Sequence, residues 1–249
     1  MTNQVCWEIL QATDSVLTQV RNLYQSTQKI EEQIPWEWIE GSISRKQNWE
    51  PGRWNPHLLV TAENENSPIT GFIYGGFMPG FGGYVTYLGV DPLARKHGLG
   101  TLLFEQMFSR FQEDARQENG PLSFVLWESC RPEWNAPESD WKIWTARMKL
   151  FHRVGGFWMA GLDLLSPNYI EEESDPITLQ LFLKPVDSRL PEFDSTRLKE
   201  IALGLQQKIY HLGSEDPLVT GTFPPGCLPQ MKSPLTADRS LERGQRSLL

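Results

Sequence analysis

Arg95-Lys96-His97-Gly98-Leu99-Gly100-Thr101 is the stretch whose residue types and spacing could do chemistry. It follows a β-branched and aromatic run, Tyr84 to Val90, that Asp91-Pro92 stops. Beyond the glycines, Leu99, Leu103, Met107, Phe111 and Ala115 recur every fourth residue, and Leu102, Phe104 and Phe108 widen the apolar face. Gln106, Arg110, Glu113 and Asp114 fall between them, so the period is helical and the helix reaches about Glu118. The glycines therefore open a helix. The first amides there lack intrahelical partners and carry the positive end of the helix dipole, which suits an anion. Gly98 and Gly100 have no Cβ, so a phosphate could approach the main chain. A P-loop is excluded because Thr101, not Lys-Ser/Thr, follows Gly100, and a dinucleotide fingerprint lacks its third spaced glycine.

Other elements must hold this turn in place. Val5 to Leu10 reads as a strand, and Asp14 as the N-cap of a helix to about Tyr24 with Val16, Leu17, Val20, Leu23 and Tyr24 inward. Pro35 opens a second helix carrying Trp36, Ile39 and Ile43. Leu58 to Ala62 and Ile69 to Met78 read as paired strands. After the long helix, Leu122 to Trp127 is apolar enough to be a strand covered on both faces, parallel to the Tyr84–Val90 strand by a helical crossover. A helix from about Ser139 to Arg153 ends at Gly155-Gly156, and Phe157 to Leu164 and Ile177 to Leu183 are two more strands. Residues 191–212 show helical spacing through Leu198, Ile201, Ala202 and Leu205. From Gly213 onward Pro, Gly, Ser and scattered charges dominate, which reads as an appended segment, partly or wholly disordered.

The run Leu88-x-Val90-x-Pro92-x-x-Arg95-x-x-Gly98-x-Gly100 resembles the acyl-CoA signature of the GNAT superfamily of N-acyltransferases, and the element order resembles its whole fold. The resemblance implies a mixed α/β protein with a central twisted sheet of about seven strands flanked by helices. It implies a domain over residues 1–186, beyond which spacing and composition read as an added helix over 187–212 and a partly or wholly disordered tail over 213–249. It also implies acetyl-CoA as co-substrate and no metal. The diphosphate would sit on the amides of Lys96, His97, Gly98, Leu99, Gly100 and Thr101, with charge from Arg95 unless that side chain makes a helix-start salt bridge. The pantetheine arm would lie along Leu88, Gly89 and Val90, and an amide of that strand would polarise the acyl carbonyl.

Acyl transfer to an amine also needs proton traffic. Family members commonly carry a Tyr four residues before a Gly-Phe pair. Counting back from Gly156-Phe157 gives His152, and the doubled glycine allows a shift to Phe151, which has no proton to give. His152 is the candidate acid, or it caps its helix C-terminus. Glu128, at the carboxyl end of a strand, is the candidate base, or a solvated strand-end carboxylate. Tyr87, just before the bulge expected in its strand, could hold a water that takes the proton, or pack the sheet. Ten tryptophans are present, with Trp36, Trp38, Trp49, Trp54, Trp134, Trp141 and Trp144 in the segments that flank an acceptor in this family. Aromatic rings beside Glu133, Glu138 and Asp140 could hold a cation, but most tryptophans pack cores.

With 23 basic and 31 acidic residues the chain carries −8, which argues against nucleic acid as a partner. Cys6, Cys130 and Cys227 are odd in number and widely spaced, which suggests reduced thiols and no zinc site. The first residues lack the features of a secretory signal, and no stretch resembles a membrane span, so a cytoplasmic protein without a membrane partner is expected. The leading reading is an acetyl-CoA-dependent N-acyltransferase acting on a small-molecule or peptide amine, with a homodimer left open. The rival readings are a non-catalytic CoA-binding module and an interaction protein that uses the C-terminal segment.

Overall fold

The computed structural model describes residues 4–10, 14–170, 175–186 and 193–237. They fall into two compact units, Met1–Val125 with Asn168–Ser174, and Leu126–Pro167 with Asp175–Leu249.

The first unit contains β1 (Val5–Glu8), α1 (Asp14–Thr27), α2 (Trp36–Arg45), β2 (Asn55–Ala62), β3 (Gly71–Met78), β4 (Gly82–Val90) and α3 (Leu99–Gln117). Its strands run antiparallel in the order β1-β2-β3-β4. Leu58, Val60 and Ala62 of β2 pack with Phe72 and Tyr74 of β3 against Leu17, Val20, Leu23 and Tyr24 of α1 and Ile39 and Ile43 of α2. The alternate β2 position His57 faces α3 instead. Side chains alternate faces along a strand, so β2 is covered twice and is buried from end to end. Each large apolar side chain fully removed from water contributes about 1.5–3 kcal/mol. The β3–β4 register shifts between Tyr74 paired with Tyr87 and Gly75 paired with Val85, which leaves Thr86 as the bulged residue. The bulge thus precedes Tyr87 rather than following it.

The second unit receives the chain within β5 (Phe124–Cys130) and continues with α4 (Glu138–Arg153), β6 (Phe157–Ser166), β7 (Ile177–Pro185), α5 (Ser195–Lys208), α6 (Pro217–Thr222) and β8 (Gln230–Lys232). Its strand order is β5-β7-β6-β8, with β6 antiparallel to both β7 and β8. Trp127, Phe151 and Phe182 form its aromatic centre, with ring centroids 4.8 to 6.3 Å apart.

The architecture is mixed α/β, as the sequence implies, with eight strands among the described residues where the sequence predicts about seven. The extra one is β8, only three residues long and too polar to show a period. Residues 213–237 also bring α6, whose N-terminus Asp216 caps, and bury Val219, Thr222, Cys227 and Ala237. The last expected tail residues, 238–249, lie outside the described residues. The three cysteines are free thiols, and no described helix is long and apolar enough to cross a membrane.

Candidate functional site

The glycine turn is built by one strand end and one helix start. Asp91 ends β4, and its side chain accepts the Leu93 amide at 2.8 Å to cap a 3-10 turn over Pro92–Ala94. The chain then reverses through Lys96 at φ 72° and Gly98 at φ 82°, the N-cap of α3. Glycine suits that left-handed position, and a Cβ there would find open space. Gly98 has no side chain with which to cap the α3 N-terminus. Leu102 N–H reaches Gly98 O at 3.0 Å, whereas the amides of Leu99, Gly100 and Thr101 precede the helix ladder. The Thr101 hydroxyl oxygen, in that same first turn, is buried and has no hydrogen-bond partner among the described residues. A buried hydroxyl left unpaired costs about 1–3 kcal/mol. An anion seated on the first-turn amides would supply that hydroxyl with an acceptor, so the residues present fit a diphosphate.

The strand before the turn pairs with β3 along one edge. Asp91 N–H donates to Thr70 O at 2.9 Å, on the β3 side. Alternation along β4 then points the amide groups of Tyr87 and Gly89 toward β3, and those of Leu88 and Val90 away from it. Both outward carbonyls already have side-chain donors: Gln28 Nε2 reaches Leu88 O at 3.0 Å, and Arg95 Nε reaches Val90 O at 3.2 Å. Arg95 therefore holds its strand through Nε and is exposed beside the turn. Gly89 needs to be small for a packing reason, because a Cβ would lie 2.2 Å from the Phe72 ring and 2.5 Å from the Thr27 hydroxyl.

The acetyltransferase (GNAT) family model matches residues 17–139, a span that runs from α1 through the turn to the start of α4. The chain carries a GNAT acetyltransferase domain. Among solved structures it is similar to a Bacteroides thetaiotaomicron protein assigned to the GNAT family, with TM-score 0.56 and 17% identity over 84% of this chain and 99% of that one. It is also similar to a phosphinothricin acetyltransferase from Sinorhizobium meliloti solved with acetyl-CoA (TM-score 0.48, 12% identity, 75% and 89% covered). A third is the ribosomal-protein-S18-alanine N-acetyltransferase of Escherichia coli (TM-score 0.45, 12% identity, 76% and 99% covered). No curated protein matches the sequence.

In this GNAT domain Tyr87 is buried. Its hydroxyl donates to Glu32 O at 2.9 Å and accepts from Ile34 N at 3.0 Å, which ties β4 to the chain before α2. Glu128 lies in the second unit near the end of β5, half-buried between the fully buried Trp127 and Ser129, and accepts a hydrogen bond from the Tyr210 hydroxyl. His152 is exposed in the last turn of α4, while its neighbour Phe151 is buried against Trp127 and Phe182. Of the tryptophans, Trp36, Trp141 and Trp144 are buried. Trp38 is 52% exposed and meets Tyr169 edge-on at 5.2 Å. Trp134 is 40% exposed. Among the described residues no set of three His, Cys, Asp or Glu is grouped to hold a metal.

Three features carried no sequence signal. Gln28 and Tyr210 belong to no motif. The third is a cluster of charges around His57 in the first unit. His57 Nε2 lies 2.7 Å from Asp114 Oδ2, and Nδ1 lies 2.7 Å from Glu8 Oε1. Lys46 donates to Glu8 Oε1 and to Pro56 O, Arg110 Nε donates to Glu8 Oε2 at 3.1 Å, and Asn55 Nδ2 donates to Asp114 Oδ1 at 2.8 Å. Each oxygen of both acids therefore has a donor. Burial pushes the Glu8 carboxyl up, but donors from His57 and Lys46 outweigh it and hold it at about 2 against an ordinary 4.5. Burial likewise pushes His57 down, and the bonds to Asp114 and Glu8 outweigh that, leaving it above its ordinary value. Lys46 goes the other way: burial drags it below the ordinary ammonium value although Glu8 pulls it up. Only the fold brings these residues together, since Glu8, His57 and Asp114 sit on β1, β2 and α3.

Proposed function

We propose that this chain transfers an acetyl group from acetyl-CoA to an amine of a small molecule or peptide, by direct attack of the amine on the thioester, in the cytoplasm. The observation that carries the reading is the glycine-opened start of α3, where the Thr101 hydroxyl is buried without a partner among the described residues. The first-turn amides and Thr101 hold the diphosphate, and Arg95, fixed through Val90 O, adds positive charge. The outward amides of Leu88 and Val90 bond the pantetheine arm, with Gln28 keeping that segment of β4 in line. The co-substrate supplies an activated acyl carbon. Glu128 is the base that takes the amine proton. His152, exposed at the end of α4, is the acid toward the departing thiolate.

Thermal melting with and without acetyl-CoA, alongside a thiol-release assay on polyamines, free amino acids and short peptides, tests the reading. An acetyltransferase melts higher with acetyl-CoA and releases thiol with at least one amine class. Stabilisation without thiol release from any amine would instead indicate a CoA-binding module, and no stabilisation at all would remove the cofactor assignment.

A further inference from the structure

One side of α2 carries an exposed aromatic ring, a glycine and an exposed guanidinium in a row: Trp38, Gly41 and Arg45. We infer that this stripe, together with Tyr169, seats the acceptor and selects an amine that also bears a carboxylate. Arg45 holds the carboxylate, and Trp38 and Tyr169 cover the apolar part of the substrate. The inference rests on the acetyl-transfer reading above and names its substrate class.

A helix turns about 100° per residue, which sets Trp38, Gly41 and Arg45 within about 60° of arc. Trp36, Ile39, Ser42 and Ile43 fill the buried side of α2. By the same count Glu37, Glu40 and Ser44 share the other exposed side, and Glu37 faces Arg21 at 3.8 Å. The charge next to Trp38 is therefore positive. Helical side chains lean toward the N-terminus, and Arg45 does so here: a Cβ on Gly41 would meet its Nη1 at 3.2 Å. Glycine is destabilising inside a helix, yet at position 41 it leaves the space that the guanidinium covers. Among the described residues Arg45 makes no ion pair.

The rings supply the apolar half of the seat. Trp38 keeps half its surface in water, Tyr169 is half-buried, and the two meet edge-on at 5.2 Å. Tyr169 follows β6 in the chain but belongs to the first unit, as α2 does. Asn168 Oδ1 accepts the Ile170 amide at 3.1 Å, a turn that fixes the backbone on both sides of Tyr169. Such a pair offers a flat apolar surface that a substrate can cover. A cation without a carboxylate would also suit aromatic faces. The guanidinium on the same stripe repels that cation and attracts an anion, so a polyamine fits worse than an amino acid.

The stripe is tied at two points to the strand that leads into the glycine turn. The Tyr87 hydroxyl of β4 bonds Glu32 O and Ile34 N, and Trp38 lies in the helical turn that follows, its amide returning to Pro35 O at 3.0 Å. Farther along α2, Ser42 bonds the Tyr74 hydroxyl at 2.9 Å, and Tyr74 pairs with Tyr87 across β3 and β4 beside the bulge. Burial pushes the Tyr74 hydroxyl above its ordinary value, against the pull of Ser42, Trp54 and the nearby charge of Arg45. Ring pair, guanidinium, bulge and glycine turn all belong to the first unit. An amine whose carboxylate rests on Arg45 is thus held by the unit that carries the cofactor turn.

The experiment is steady-state thiol release by the full chain on amines matched in pairs with and without a carboxylate: phenylalanine against 2-phenylethylamine, lysine against cadaverine, and a dipeptide against its C-terminal amide. The carboxylate member should be preferred about 10-fold or more in kcat/KM, the worth of a hydrogen-bonded charge pair. Arg45→Gln should erase that preference through KM for the carboxylate member, and Arg45→Lys should restore part of it. Trp38→Ala should raise KM for phenylalanine by up to about 10-fold. Both side chains are exposed, so the melting temperature and its rise with CoA should stay as in the wild-type protein. Equal use of both members by the wild-type protein, or a preference that survives Arg45→Gln, would overturn the inference and leave the acyltransferase intact. A wild-type protein that binds CoA yet acetylates no amine would overturn both.

Discussion

α3 carries two polar regions that follow opposite rules. At its start the N-cap Gly98 has no side chain to cap the first turn, and the Thr101 hydroxyl is buried without a partner among the described residues. Near its end, roughly 20 Å along the helix axis, Asp114 is buried 4% exposed with a donor on each oxygen. A carboxylate in the last turn of a helix faces the negative end of the dipole and is disfavoured there. His57 and Asn55 offset that cost, and Arg110, one turn earlier, adds charge nearby. The fold completes one region by itself and leaves the other incomplete. A closed polar cluster specifies how β1, β2 and α3 dock, whereas unsatisfied donors at a helix start are places for a ligand.

The comparison can be broken at the closed end first. Asp114→Ala removes two acceptors and leaves His57 and Asn55 buried without them, and should cost about 3–5 kcal/mol of stability, read from urea unfolding. If the loss were under about 1 kcal/mol, the cluster would be ornamental rather than structural. The affinity of the folded protein for CoA should not change.

Acid should reach the same region next. Glu8 is held at about 2 against an ordinary 4.5, so its stabilisation is complete above about pH 4.5 and fades as pH falls toward 2. The amount at stake is on the order of 3 kcal/mol. His57 is raised above 6.5, so its contribution is complete below that pH and is lost on the alkaline side as it deprotonates. The contributions of Glu8 and His57 therefore coincide between about pH 4.5 and 6.5. Unfolding measured across pH 2 to 5 should show the acid slope, and Glu8→Gln should flatten it.

At the open end the same kind of deletion should have the opposite effect on stability. Thr101→Val removes a buried hydroxyl that has no partner among the described residues, so the free protein should melt at the same temperature or higher. Its affinity for CoA should fall about 10-fold, the loss of one hydrogen bond to a charged group, as titration calorimetry would show. A destabilised free protein with unchanged affinity would mean that Thr101 serves the fold. Arg95→Ala should have the smallest effect, a loss of up to about fivefold in CoA affinity that shrinks as salt is added.

The elements were largely legible because their signals are local. The four-residue spacing from Leu99 to Ala115 marks α3, and the β-branched and aromatic run before Asp91 marks β4. Thr86 as the bulged residue was not legible at single-residue precision, since the shift depends on how Gly75 meets Tyr84 and Val85 across the sheet. Residues 213–237 were hard to read for a different reason. Short elements such as α6 and β8 have too few residues to show a period, and they are fixed by partners distant in sequence: β8 by β6, and Thr222 by Gln206 and Leu165.

By itself the sequence determined the glycine turn and the helix behind it, because a left-handed glycine and an uncapped first turn are properties of neighbouring residues. The tertiary structure decided which side chains meet. It set Tyr87 among Glu32 and Ile34, turned His152 to solvent, joined Tyr210 to Glu128, and closed Glu8, His57 and Asp114 into one cluster. Hydrogen bonds and ion pairs act over a few ångströms of space, and chain separation leaves no trace of them until the strands and helices have packed.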